Sequence, residues 1–154
     1  TGVIASPWHF TSREITRQID KAFTIKGIVL GSKGFLCYNL PQLDGRSYHA
    51  MSEVAAVLKR YEHILYYGKI KNQKINVLEG LSDGQFALFE REGEKESVFI
   101  AYNESDKFCN FRIKLWNKRL KVLDADGKQA LEQNDDEING KIMPQDFIVY
   151  SIEE

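Results

Sequence analysis

At 154 residues the chain is long enough for one well-packed domain or for two small ones sharing an interface, and its 43% hydrophobic and 28% charged content is that of a globular protein rather than a disordered or membrane one. Twenty-one basic residues against 22 acidic ones leave a formal charge of −1, so no overall field draws the chain to nucleic acid or to an anionic bilayer. No apolar run is long enough for a membrane span and the N-terminus lacks a signal-peptide pattern, so a soluble chain is expected, cytoplasmic or secreted after processing.

Gly2-Val3-Ile4-Ala5 reads as a short strand that ends at Ser6-Pro7-Trp8-His9-Phe10, where the proline stops the extended run. Thr11-Ser12-Arg13-Glu14 has the form of a capping box, and Ile15, Ile19, Ala22 and Phe23 follow on one helical face. The glycine-bounded run Ile25–Gly31 then reads as a strand buried on both faces, which makes strand, helix, strand a parallel βαβ unit. A second apolar run, Phe35–Leu40, leads into the loop Pro41–Arg46. From Ser47 a longer helix is predicted, carrying the stripe Met51, Val54, Ala55, Leu58, Tyr61 and Leu65, with Gly68 as its stop.

From Lys69 onward the pattern is one of strands and tight turns. Ile75–Leu78 is a strand, and Phe86–Phe89 and Val98–Tyr102 flank the charged, glycine-bearing tip Arg91–Lys95, the signature of a β-hairpin. Phe111-Arg112-Ile113-Lys114-Leu115-Trp116 alternates, which turns Phe111, Ile113 and Leu115 inward. Leu120–Leu123, Ile138–Ile142 and Phe147–Ile152 complete a set of short strands at near-regular spacing, as in an antiparallel β-sandwich. The fold class read from this order is α+β: an N-terminal βαβα segment over residues 1–68, then an antiparallel β-sandwich over residues 69–154, with the boundary near residues 66–74. Two βα units cannot close a barrel, which takes about eight of them and about 250 residues, so the first segment looks like the final quarter of something larger.

The residues Phe86–Arg91, Val98–Ser105 and Met143–Tyr150, placed after two βα units and a long helix, resemble the C-terminal end of an α-amylase-like glycoside hydrolase with its appended sandwich. In that family a strand ending in Asn-x-Ser and a final proline followed by an aliphatic strand recur in the sandwich. The resemblance implies that the chain belongs to a larger carbohydrate-active enzyme whose catalytic carboxylates lie on earlier barrel strands.

In a βα barrel the loops after the strands form the active-site face, which by this reading holds Ser6–Phe10 and Ser32–Arg46. Trp8 and Tyr38 can stack on sugar rings, and His9, Asp44 and Arg46 can hydrogen-bond hydroxyls. The same residues also read structurally: Trp8 as a core anchor, His9 as a satisfied loop residue, and Asp44 as a helix cap. Glycoside hydrolysis needs two carboxylates across the scissile bond, and Asp44 is the only acid in these loops, so no catalytic residue is assigned. The acids at positions 90, 92, 94 and 96 and the run Asp135-Asp136-Glu137 read as solvated turns. Cys37 and Cys109 have no CxxC spacing and the three histidines no HExxH spacing, so neither a metal nor a cofactor is expected. Gly31-Ser32-Lys33-Gly34 lacks phosphate-loop spacing and reads as a plain turn. The expected function is the C-terminal segment of a glycoside hydrolase, supporting the barrel and contributing loop residues to sugar binding, and not active as this chain alone. The expected partners are a carbohydrate and the remainder of a larger enzyme. The alternative is a noncatalytic carbohydrate-binding or protein-interaction module with Trp116 and Tyr38 as its contact.

Overall fold

A computed structural model describes residues 17–33, 45–116, 121–124 and 136–153. Three helices come first, α1 (Arg17–Val29), α2 (Gly45–Arg60) and α3 (Glu62–Tyr67). Eight strands follow among the described residues: β1 (Lys69–Ile70), β2 (Asn76–Glu79), β3 (Phe86–Glu90), β4 (Glu96–Asn103), β5 (Cys109–Lys114), β6 (Lys121–Leu123), β7 (Glu137–Ile142) and β8 (Asp146–Glu153). They form a five-stranded sheet in the order β1-β3-β4-β8-β6 and a three-stranded sheet in the order β2-β5-β7, with every pairing antiparallel.

The predicted hairpin is the centre of the larger sheet. β3 pairs with β4 from Phe86↔Ala101 to Glu90↔Ser97, and β4 then pairs along its whole length with β8, from Glu96↔Glu153 to Asn103↔Asp146. Both hairpin strands are apolar without interruption because both faces of this sheet are covered. Phe86, Leu88, Phe99 and Ala101 point into a core shared with Phe111 and Ile113 of the second sheet. Their alternates Ala87, Phe89, Val98 and Ile100 pack with Ile25, Ile28 and Val29 of α1 and Val54 of α2. The period-2 alternation of strand side chains thus divides one apolar run between two cores. β5 has only one covered face, so Phe111 and Ile113 are buried while Asn110, Arg112 and Lys114 face water, as the alternation predicted. The result is three layers: helices, five-stranded sheet, three-stranded sheet.

The segment Ile25–Gly31 departs from expectation. It is not a strand but the second half of α1 and its stop, so the parallel βαβ unit predicted there does not form. Ile25, Ile28 and Val29 are buried at i, i+3 and i+4, a spacing that serves a helix face as well as a buried strand. Gly31, at φ 94°, ends the helix: its amide donates to the Ile28 carbonyl at 2.8 Å and the Ser32 amide to the Gly27 carbonyl at 2.9 Å. That double closure is the Schellman arrangement, which needs a left-handed residue and so selects glycine. The predicted strands Gly2–Ala5 and Phe35–Leu40 and the capping box at Thr11–Glu14 lie outside the described residues.

The second helix stands where predicted but breaks at Tyr61. Val54, Tyr61 and Leu65 of the expected stripe are buried and Leu58 packs beside them, whereas Ala55 is exposed. Gly68 does end α3, in an extended conformation. It is needed for closeness: a Cβ there would lie 2.2 Å from the Ile64 carbonyl oxygen and 2.9 Å from that of Glu90.

Candidate functional site

Of the five residues expected to contact sugar, Trp8, His9, Tyr38 and Asp44 lie outside the described residues. Arg46 is in the first turn of α2, and its side chain also lies outside the described part. Where Ser32 leaves α1, a cleft of about 340 Å³ opens between that helix end and α2–α3, walled by Ile28, Ser32, Lys33, Leu58, Glu62 and Leu65. Lys33 reaches across the chain to donate its Nζ to the Leu65 carbonyl at 2.9 Å and the Gly68 carbonyl at 3.2 Å. A cation on the last carbonyls of a helix satisfies acceptors that have no intrahelical partner. Gly31 is therefore the stop of α1, and Lys33 two residues later is a cap on α3.

Acid/base chemistry on a glycoside calls for two carboxylates with different proton affinities, so the paired acids matter most. Glu53 of α2 and Asp146 of β8 both approach one amine, Lys21 Nζ of α1, at 2.6 and 3.6 Å, and His49 Nε2 lies 3.2 Å from Glu53. One ammonium group between two carboxylates clamps three elements, α1, α2 and β8, together. Lys26 makes a second clamp, donating to Glu104 at 2.6 Å; that hydrogen bond raises the lysine pKa, against a smaller lowering by burial. The hairpin acids are engaged as well. Glu90 pairs with Lys74 at 2.8 Å, Glu94 lies 3.7 Å from Arg91, and Glu96 accepts from the Ser151 hydroxyl. Asp136 pairs with Lys114 at 3.2 Å. Among the described residues no three His, Cys, Asp or Glu side chains are grouped to hold a metal ion.

Trp116 is packed partly against the inter-sheet core, with the Lys74 ammonium 5.0 Å from its ring centre. The Lys21 and Lys26 clamps were missed by sequence reasoning. Their one signal was a pair of lysines, five residues apart, on either side of the apolar Ala22, Phe23 and Ile25.

Neither a protein-family model nor a curated protein sequence matches the chain. Solved structures do match its fold. An α-amylase from Geobacillus thermoleovorans, solved with acarbose, is 12% identical with a TM-score of 0.59, the match covering 89% of this chain and 34% of that one. α-Galactosidase I from Mortierella vinacea is 11% identical with a TM-score of 0.58, over 90% of this chain and 36% of that one. An Anoxybacillus α-amylase is 17% identical with a TM-score of 0.54, over 84% and 32%. The chain thus has the fold of part of these glycoside hydrolases and spans about a third of their length. The likeness to α-amylase-like enzymes that the sequence implied holds at the level of fold. Among the described residues no helix is long and apolar enough to cross a membrane.

Proposed function

We propose that the chain is the C-terminal segment of a glycoside hydrolase, in which residues 69–154 form a sandwich that supports the last barrel units, carried by residues 1–68. One observation carries the reading. The helical layer is seated on the sandwich through a continuous apolar interface, Ile25, Ile28 and Val29 against Val98, Ile100 and Val149, in a fold shared with about a third of each matched glycoside hydrolase. In this role the sandwich holds the start of the Ser32–Arg46 loop in place through α1 and the Lys33 cap. Trp8 and Tyr38 stack on sugar rings, and His9, Asp44 and Arg46 hydrogen-bond hydroxyls. The acid and base are supplied by the remainder of the larger enzyme, which is the chain's main partner.

The test is activity of the purified 154-residue chain on chromogenic glycosides. No turnover is expected, and turnover above the spontaneous rate would overturn the supporting role. Within a longer parent enzyme, Trp8→Ala and Asp44→Ala are expected to weaken sugar binding by about tenfold, the effect of losing about 1.4 kcal/mol of contact. Unchanged KM in both would remove these residues from the site.

A further inference from the structure

A second depression, of about 440 Å³, lies on the free edge of the five-stranded sheet and is lined by Tyr67, Lys69, Lys71, Glu90, Arg91 and Glu92. Its volume is in the range of about 300–1,000 Å³ typical of ligand sites. Three elements build it. α3 ends on Tyr67, whose ring is 67% exposed; Lys69 and Lys71, two apart along the edge strand and its extension, both line the depression; and the hairpin supplies Glu90, directly opposite Lys69, with Arg91 and Glu92 beyond.

The charges are unevenly matched. Glu90 is already neutralised by Lys74, which stands outside the lining. Arg91 lies 5.2 Å from the Tyr67 ring centre and makes only a long 3.7 Å contact to Glu94. Neither Lys69 nor Lys71 has an ion-pair partner among the described residues. Lys69, Lys71 and Arg91 set against Glu92 leave a net positive hollow beside an exposed tyrosine ring, with Tyr66 packed edge-on to that ring at 4.9 Å. Ammonium and guanidinium groups select carboxylates, and the aromatic ring selects the apolar C–H surface of a pyranose. We infer that this edge depression binds an acidic carbohydrate, a uronate-containing oligosaccharide, with Tyr67 against a sugar ring and Lys69, Lys71 and Arg91 on its carboxylates. This goes beyond the loop site proposed above and does not depend on it.

The probe is trigalacturonate titrated calorimetrically into the 154-residue chain, with uncharged maltotriose as the comparison. Binding at millimolar concentration or tighter is expected, weakened about tenfold in each of Arg91→Gln and Tyr67→Ala, a loss of about 1.4 kcal/mol. Tyr67 is exposed and Arg91 half-buried at the hairpin tip, outside both cores, so the variants should fold. Raising the salt from about 50 to about 200 mM should weaken binding several-fold through screening. Absence of trigalacturonate binding, maltotriose binding as tightly, or an affinity unmoved by both substitutions would each overturn the inference. Citrate displacing trigalacturonate at equal concentration would overturn the sugar part by making the hollow a general anion site.

Discussion

Asn103 shows how much one side chain can organise. It is 2% exposed at the end of β4; its amide nitrogen donates to the carbonyls of Lys107 at 2.7 Å and Met143 at 3.1 Å, and its oxygen accepts from the Ser105 amide at 3.0 Å and the Ser105 hydroxyl at 2.8 Å. The residue thereby folds the turn after β4 and ties it to the entry of β8. This is the physical content of the Asn-x-Ser pattern noticed in the sequence: the serine shapes the turn and the asparagine locks it. Asn103→Ala takes this partner from the Met143 carbonyl and the Ser105 amide in a part-buried turn, while the Lys107 carbonyl keeps the Ser105 hydroxyl at 3.0 Å, and is expected to cost about 1–3 kcal/mol, read as a lowered urea midpoint. A loss under about 0.5 kcal/mol would mean that water replaces the amide. Ser105→Ala, removing only a half-exposed hydroxyl, is expected to cost about 1 kcal/mol or less.

At the scale of the element, α1 is held to the rest of the molecule by its apolar face and by two lysines of unequal burial. Lys21 has a side chain 14% exposed and bridges Glu53 and Asp146, whereas the Lys26–Glu104 pair is open to solvent on both sides. Exposed pairs contribute about 0–1 kcal/mol, while removing the cation between two half-buried acids leaves them facing each other. Lys21→Ala is therefore expected to destabilise by about 2–3 kcal/mol and to speed amide exchange in α1 and α2, and Lys26→Ala by about 1 kcal/mol or less. Equal effects would show that burial does not separate the two clamps. The same helix marks the limit of legibility. The hairpin was readable from two apolar runs closing on a charged, glycine-bearing tip, and Phe111–Leu115 from its period-2 alternation. Ile25–Gly31 was not, since a short apolar run between glycines fits a buried strand and a buried helix face equally, and only the contact of Ile25, Ile28 and Val29 with the sheet separates them. The cleft beside Ser32 was invisible for a related reason: it depends on Lys33 meeting carbonyls more than 30 residues away.

The whole molecule is a sheet between two covers, and that arrangement sets its response to alkali. Tyr61 and Tyr102 lie in the helix-side core and Tyr150 in the inter-sheet core, where burial, which disfavours the phenolate, raises each phenol above its usual value of 10.0. Lys26, through its hydrogen bond to Glu104, is raised above 10.5. In all four the folded state holds its proton to higher pH than the unfolded chain does. Their contribution is therefore fully present below the unfolded values and is lost as pH rises through the folded ones. The urea midpoint is expected to stay level up to about pH 9.5 and to fall steeply above about pH 10. Tyr61 provides the control, because its hydroxyl is buried without a hydrogen-bond partner. Tyr61→Phe removes both an ionisable group and an unsatisfied one, so it should match or exceed the parent stability at neutral pH by up to about 1 kcal/mol and make the alkaline decline shallower. A midpoint that stays flat to about pH 11, or a Tyr61→Phe chain with an unchanged alkaline slope, would place the pH sensitivity outside the two cores.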